Sequence, residues 1–209
     1  MSKSVTILSL GPSRTQCPFQ TEELWGVYRC ILEPDLQDKK FDKLFCVDGT
    51  HQSINDHQPI EIKSITKSLD KAKELHIPVV GLHRSVLQRS SEQEIEAYPI
   101  ASIARKLKAN TFGPTPAWMM AYAIYHGYER IEIYGIDQGP QLYYYAGKAS
   151  MMYWIGYGVG AGVKMHLGPG SLRWCYSSDL AGAPEPFVRE VFEDLYVKTV
   201  EDNERLANV

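Results

Sequence analysis

The sequence of 209 residues lacks the features of several protein classes. No apolar run approaches the roughly 18 residues that a membrane-spanning helix requires. The N-terminus leads directly into a β-branched run and has no secretory signal. The net charge is −3, and the basic residues are interspersed with acidic ones, as on a solvated surface. We therefore expect a cytoplasmic protein with no membrane span and no strong nucleic-acid-binding signature.

Standard catalytic and metal-binding motifs are also missing. The histidines form no H-E-x-x-H pair, so no metal site is predicted. The chain has no G-x-S-x-G elbow, no P-loop lysine and no G-x-G-x-x-G fingerprint. Four widely spaced cysteines form no C-x-x-C pair, and we expect all of them to be unpaired thiols: Cys17, Cys30, Cys46 and Cys175.

What the sequence does contain is an alternation of strand and helix patterns. Short apolar or β-branched runs predict strands at residues 5–10, 24–30, 44–47, 77–82, 130–134 and 163–167. Helical spacing predicts helices at 65–76, 115–126 and 150–161, with one or two more within 90–110. This alternation predicts an α/β fold, a three-layer sandwich around a Rossmann-like, mostly parallel sheet. We expect one domain over residues 1–209, covered by a C-terminal amphipathic helix at 185–206.

Ligands of such sheets bind beyond the carboxyl ends of the strands, so the strand exits hold the candidate site. Gly11, Pro12, Ser13 and Arg14 follow the first strand. Glycine allows close approach of a ligand, backbone amides can cradle a phosphate, and a guanidinium binds phosphate oxygens. The alternative interpretation is a strand-exit turn with a surface arginine.

The loop before the helix at 115–126 is a second candidate. Thr111, Gly113 and Thr115 place hydroxyls and amides at the positive end of that helix, where anions bind. Thr115 alone could instead cap the helix without any ligand.

Acidic residues follow two further strands. Asp137, with Gln138 after it, ends the strand at 130–134, and Asp48 ends the strand at 44–47, with His51 nearby. A carboxylate at such a position can bind a ribose hydroxyl, or it can cap a turn.

Tyrosines and a lysine follow Asp137 in a segment that is predicted to be a loop. Phenols such as Tyr143 and Tyr145 can hydrogen-bond a leaving phosphate, and Lys148 can neutralise it. Loop tyrosines also serve simply as packing residues with a hydrated hydroxyl. His51 and His166 are the candidate catalytic bases.

Glycines recur at alternate positions near the end of the helix predicted at 150–161. Gly156, Gly158, Gly160 and Gly162 precede a strand rather than follow one, so they do not form a dinucleotide-binding loop. They predict close packing against the sheet, or unwinding of the last helical turn.

The order of these loops resembles that of a known superfamily. Residues 7–13 (I-L-S-L-G-P-S) resemble the G-x-G-P-S motif of Rossmann-like transferases that include bacterial lipooligosaccharide sialyltransferases and archaeal-type 6-hydroxymethylpterin diphosphokinases. Residues 111–115, 121–131 and 134–137 (Y-G-I-D) resemble the superfamily's T-S-G to G-I-D block, and residues 162–172 resemble its last strand. The chain is also similar to uncharacterised bacteriophage proteins.

The resemblance implies a nucleotide- or nucleotide-sugar-dependent, glycosyltransferase-like protein, in the host cytoplasm if it is phage-encoded. In the sialyltransferases these loops hold a cytidine nucleotide sugar, and Tyr143 and Tyr145 correspond to tyrosines that contact its phosphate. Residues 146–152 contain Lys148 and Ser150 but no counterpart of the family's catalytic histidine. Three alternatives stay open: a capture protein that binds a nucleotide without turnover, a pterin-type diphosphotransferase and a structural protein. The sequence does not decide whether a divalent metal takes part or whether the chain self-associates.

Overall fold

Among the described residues of a computed structural model of the chain, seven strands form one parallel sheet. The structure describes residues 3–47, 59–81, 94–109, 111–137 and 142–168, and within 59–63 and 142–146 it describes the backbone alone. The elements follow one another as β1 (Ser4–Leu8), β2 (Glu23–Val27), β3 (Lys43–Cys46), α1 (Pro59–Glu74), β4 (Val79–Gly81), β5 (Ile95–Ala97), α2 (Ile100–Leu107), α3 (Thr115–Tyr125), β6 (Arg130–Tyr134), α4 (Leu142–Gly160) and β7 (Lys164–Leu167).

The strand order is β5-β4-β3-β2-β1-β6-β7. The chain therefore winds outward from β1 to β5 and then returns to the other side of β1, where it forms β6 and β7. α1 packs with the 3₁₀ turn Tyr28–Leu32 on one face of the sheet, and α2, α3 and α4 pack together on the other. This arrangement confirms the predicted three-layer α/β fold. The direction of winding reverses between β1 and β6, and this topological switch point is where open α/β sheets bind ligands.

The core is built on both faces of the central strands. Val5, Ile7 and Leu8 of β1 are fully buried, as are Ile131 and Ile133 of β6. α3 is apolar almost all round, and every residue from 115 to 123 is buried. A helix of this kind needs neighbours on every side, and α3 has them because it lies between the sheet and the helices α2 and α4.

The prediction for the second strand was too long. β2 ends at Val27, and residues 28–30, predicted as its continuation, form a 3₁₀ turn. Gly26 explains the early end, because a side chain there would collide with the Phe41 ring and crowd Cys30. The chain can therefore fold back over Gly26, and Cys30 packs against β1 with its thiol 3.5 Å from the carbonyl oxygen of Leu8.

Two further elements differ from prediction. The strand β5 was missed because only one of its three residues, Ile95, is buried, so it carries no strand pattern. α4 begins at Leu142, eight residues before the predicted start. Gly147 weakens the helical pattern of this first part. The loop before α3 nevertheless packs against α4 there, at Gly147 and Ser150.

The other expectations are met in part. Cys17 and Cys30 are buried free thiols, as predicted, and Cys46 is buried as well. Burial raises the pKa of Cys17 to about 11 and that of Cys30 to about 12. Cys175 and the segment 185–206 lie outside the described residues. Among the helices that the structure describes, none has the length and hydropathy needed to cross a membrane.

His126, directly after α3, lies among aromatic rings and lysines. Its ring centroid is 4.2 Å from that of Tyr122 and 5.0 Å from that of Tyr125. Partial desolvation, reinforced by the positive charges of Lys3 and Lys43, lowers the pKa of His126 below its ordinary value. The folded protein therefore favours the neutral imidazole.

This shift predicts a pH dependence of stability. The unfolded chain binds the His126 proton more readily than the folded one, so the free energy of unfolding should fall as the pH drops below about 6.5. His126→Gln should remove this part of the pH dependence. Urea unfolding of both proteins at about pH 7.5 and about pH 5.5 measures it. An equal loss of stability in both proteins would contradict the assignment.

Candidate functional site

The loops after β1 and β6 are joined directly at the switch point. The amide of Gly11 donates to the carbonyl oxygen of Gly135 at 2.7 Å, and the amide of Ser13 donates to Oδ2 of Asp137 at 2.6 Å. The amide of Gly135 in turn donates to Oγ of Ser13 at 3.0 Å. We call residues 9–14 and 135–137 the switch-point loops. Gly11, Ser13 and Asp137, predicted to meet at this edge, are therefore in contact across 124 residues of sequence.

Two glycines make this contact sterically feasible. A Cβ at Gly11 would lie 2.3 Å from Oδ2 of Asp137 and 2.7 Å from the carbonyl oxygen of Gly135. Gly135 has a φ of +72°, and a Cβ there would lie 2.3 Å from the carbonyl oxygen of Ser9. The two backbones could not approach this closely with any other residue at either position.

Asp137 has one engaged and one available carboxylate oxygen. Its Oδ2 holds the amide of Ser13 near the start of the 3₁₀ turn Pro12–Gln16, which has no other side-chain cap. Among the described residues, none donates a hydrogen bond to Oδ1, and the side chain is only partly buried. The carboxylate can thus fix the β1 loop and still accept a hydrogen bond from a ligand.

Arg14 has a different role from the predicted one. Its Nη2 lies 2.9 Å from Glu33, its Nε lies 3.1 Å from Asp35, and its Nη1 donates to the carbonyl oxygen of Leu10. The hydrogen bond with Asp35 raises the pKa of Arg14 and lowers that of Asp35. The interpretation of Arg14 as a phosphate ligand conflicts with these ion pairs, which neutralise its charge. It tethers the β1 exit to the 3₁₀ turn Pro34–Leu36 instead.

The loop before α3 is anchored by indole groups. Nε1 of Trp154 donates to the carbonyl oxygen of Thr111 at 2.7 Å, and Nε1 of Trp118 donates to that of Gly113 at 2.8 Å. The Phe112 ring stacks on Trp118 with 4.3 Å between centroids. In a trans peptide the N–H points opposite to the carbonyl, so the Phe112 amide points away from Trp154. Within the described chain nothing accepts a hydrogen bond from this amide.

α4 places a serine against the same loop. Ser150 is 6% exposed, and its Oγ would lie 2.6 Å from a Cβ added at Gly113. Lys148, on the same helix, is also buried. Ser150 is a candidate that sequence reasoning did not assign to the site. The available signal was its position with Lys148 as the polar pair in the otherwise apolar stretch 148–160.

Comparison with known proteins supports the fold. No family model and no curated protein matches the sequence. The chain is similar in structure to the sialyltransferase CstII from Campylobacter jejuni in complex with CMP-3FNeuAc (TM-score 0.55, 16% identity, covering 81% of this chain and 82% of that one). The complex of CstII with cytidine-5'-monophosphate gives a TM-score of 0.51 at 16% identity and 81% coverage of both chains. A complex with trisaccharide acceptor and CMP gives 0.50 at 15% identity, covering 81% and 83%.

At these identities the likeness shows a shared fold. It agrees with the resemblance of the sequence to bacterial sialyltransferases. It does not bear on the resemblance to pterin diphosphokinases or to bacteriophage proteins.

Several predicted site residues lie elsewhere or outside the described chain. Tyr143 and Tyr145 lie on α4 rather than in a loop, and their side chains are not described. Thr115 is the first residue of α3 and is buried, but no side-chain cap hydrogen bond forms at this terminus, where Pro114 is the N-cap. Three candidates lie outside the described residues: Asp48, His51 and Gln138.

His166 lies on the sheet face that points away from α4. Its neighbour Met165 contacts Gly158 of α4, and side chains alternate along a strand. His166 pairs in register with Glu132 of β6, and its ring centroid is 6.0 Å from that of Tyr134. In the described part of the chain, no hydrogen bond joins His166 to the switch-point loops.

Substitution of two of the positive-φ glycines, Gly135 and Gly127, tests the close approach. Gly135→Ala should lower the free energy of unfolding by at least about 2–3 kcal/mol, because the new Cβ adds a backbone clash to the cost of a left-handed residue. Gly127→Ala is the matched control. Its φ is +75°, but a Cβ there would meet nothing within 4 Å, so only about 1–2 kcal/mol should be lost. Equal losses in urea unfolding would show that the clash does not exist.

Proposed function

We propose that this chain is a nucleotide-sugar-dependent transferase of the glycosyltransferase type. The observation that carries the proposal is the pair of switch-point loops, held together by Gly11, Ser13, Gly135 and Asp137 at the edge where α/β sheets bind ligands. The structural neighbours are sialyltransferase structures with CMP or a CMP-sugar analogue, which supports a nucleotide sugar as the ligand class.

The nucleotide would lie across the switch-point loops. Gly11 carries no side chain that could block it, and Oδ1 of Asp137 can accept a hydrogen bond from a sugar hydroxyl. The loop before α3 supplies the outward amide of Phe112 at the positive end of a helix dipole. Asp48, Gln138, Thr111, Gly113 and Thr115 remain proposed neighbours of the ligand.

The reaction would be a direct displacement at the anomeric carbon. The bond from this carbon to the phosphate oxygen breaks, its electron pair leaves with the nucleotide, and an acceptor hydroxyl forms the new bond and gives its proton to a base. Lys148, with Tyr143 and Tyr145 one turn or so earlier on α4, would neutralise the departing phosphate. His51 is the remaining candidate base, since His166 lies on the far face of the sheet.

Ligand-induced stabilisation tests the binding step. A cytidine nucleotide or nucleotide sugar at about 100 times its Kd should stabilise the fold by roughly 2.7 kcal/mol, a rise in Tm of about 2–8 °C. Asp137→Asn keeps the shape and an acceptor oxygen but removes the charge, so it should reduce this rise. Asp38→Asn, at an exposed aspartate, is the control and should leave the rise unchanged.

The proposal fails if no nucleotide or nucleotide sugar raises the Tm of the wild type at millimolar concentration. It also fails if Asp38→Asn reduces the rise as much as Asp137→Asn does, because the effect would then not depend on the switch-point loops.

A capture protein is the second candidate. It is favoured by the absence of histidine from residues 146–152, where the resembling sialyltransferases have their catalytic histidine. A capture protein would bind the nucleotide sugar and release no nucleotide. A transferase would release nucleoside monophosphate when an acceptor is present.

Nucleotide release by the wild type distinguishes the two candidates, and a lysine variant tests the proposed role of Lys148. If Lys148 neutralises the leaving phosphate, Lys148→Gln should reduce nucleotide release by about 10²–10³-fold with a much smaller change in Kd. Nucleotide release is measured by chromatography, and Kd by calorimetry. Binding without release in the wild type would refute the transferase and support capture.

A further inference from the structure

The loop before α3 lies at the same edge of the sheet as the switch-point loops. Nζ of Lys3, directly before β1, donates to the carbonyl oxygen of His126, directly after α3, at 3.4 Å. The C-terminal end of α3 therefore lies at the amino edge of the sheet, and α3 runs antiparallel to β1, which it contacts. Both elements are about 16 Å long. The loop at 111–114 thus reaches the carboxyl edge, where the proposed ligand binds.

Phe112 gives this loop a partly open aromatic ring. The ring stacks on Trp118 with 4.3 Å between centroids, and Trp154 is tilted against it at 5.8 Å. Trp118 and Trp154 are buried, whereas Phe112 is only half-buried. The ring is therefore held in place by its neighbours and still keeps part of its apolar surface open.

Ser150 supplies a hydroxyl beside the same loop. Its Oγ lies 2.6 Å from the position of a Cβ at Gly113, in the space that the missing side chain leaves. The residue is 94% buried, since its exposed fraction is 6%, and Oγ has no hydrogen-bond partner among the described residues. The oxygen is not sealed off, because in the described part of the chain only Oε2 of Glu132 is both fully enclosed and unpartnered. A hydroxyl donates and accepts, so Oγ can bind a hydroxyl of a ligand.

No charge accompanies this ring and hydroxyl. Residues 111–114 are uncharged, and the resembling T-S-G motif has a serine where this chain has Phe112. The guanidinium of Arg14 is neutralised by its own ion pairs, and the proposed reaction assigns Lys148 to the departing phosphate. A carboxylate placed over Phe112 would lose its hydration without gaining a charged partner, which costs free energy. An uncharged sugar can instead offer C–H groups to the ring and a hydroxyl to Ser150.

We propose that the sugar transferred by this chain is an uncharged one, and that Phe112 and Ser150 form its subsite. This inference rests on the proposed function and narrows its substrate class. Phe112 contacts the C–H face of the sugar ring, and Oγ of Ser150 forms a hydrogen bond with one of the sugar hydroxyls. Both residues determine specificity, and neither takes part in breaking the bond to the phosphate. A sugar that carries a carboxylate, as sialic acid does, is disfavoured.

Calorimetry of the full chain tests this substrate class. Each nucleotide sugar is compared with its own nucleotide, so the ratio of the two Kd values reports the contribution of the sugar. The uncharged probes are CDP-glucose, UDP-glucose and GDP-mannose, paired with CDP, UDP and GDP. The acidic probe is CMP-N-acetylneuraminate, paired with CMP. For at least one uncharged sugar the ratio should be more favourable than for the acidic sugar by about 10-fold or more.

Two variants locate the contact on the uncharged sugar that binds best. Ser150→Ala should reduce the contribution of the sugar by about 2–10-fold. It should leave the Kd of the bare nucleotide and the Tm unchanged, because Oγ has no partner to lose. Phe112→Leu keeps an apolar side chain but removes the ring. It should reduce the sugar contribution by a similar factor and lower the Tm, because the stacking on Trp118 is lost.

The chain offers a matched control for each variant. Ser68→Ala changes another buried helical serine, whose Oγ donates to the carbonyl oxygen of Ser64 at 2.9 Å. Tyr125→Leu changes a half-buried ring at the opposite end of α3. Neither control should alter the ratio between nucleotide sugar and nucleotide.

Three results would overturn the proposal. It fails, with the proposed function intact, if nucleotides bind and the acidic sugar contributes as much as every uncharged one. It also fails if both variants weaken the bare nucleotide and the nucleotide sugar by the same factor, because the two residues would then support the loop rather than contact the sugar. If no nucleotide binds at all, the proposed function fails and this inference fails with it.

Discussion

The close approach of two backbones at the exits of β1 and β6 is the constraint on which the rest of the candidate site depends. These strands are neighbours in the sheet but far apart in sequence, and their loops meet through Gly11 and Gly135 at 2.7 Å. The contact fixes where the sheet reverses its direction of winding. It also fixes Asp137, whose carboxylate holds the amide of Ser13 and so determines the shape of the edge that a ligand would meet.

The loop before α3 is fixed by aromatic packing. Trp118 and Trp154 hold the carbonyl groups of the loop before α3, and Phe112 is stacked between them. Indole donors can hold a loop in this way only while they are themselves buried. Trp118 and Trp154 are buried because α3 packs against the sheet and against α4. The loop amides are therefore presented by a rigid support, as a preorganised anion site requires.

α4 connects the sheet with the proposed chemistry. It brings Ser150 against the loop before α3 and buries Lys148. The two polar residues of the otherwise apolar stretch 148–160 are therefore both withdrawn from solvent.

The sequence by itself determined the elements whose signals are local. The β-branched run of β1, the alternation in β6 and the apolar run of α3 that stops at Gly127 were all predicted near their true bounds, because short-range sterics and periodicity specify them. The meeting of Gly11 with Asp137 was also predictable, because parallel strands place their carboxyl ends at one edge.

Only the tertiary structure decided the rest. The pairing of Arg14 with Glu33 and Asp35, and the placement of Ser150 against Gly113, join residues that no sequence spacing links. β5 exists because β4 offers it an edge to pair with, since its own three residues carry no strand pattern. These features are set by long-range packing, which determines what a local pattern leaves open: the partner of each side chain, and the surface of each helix that stays free.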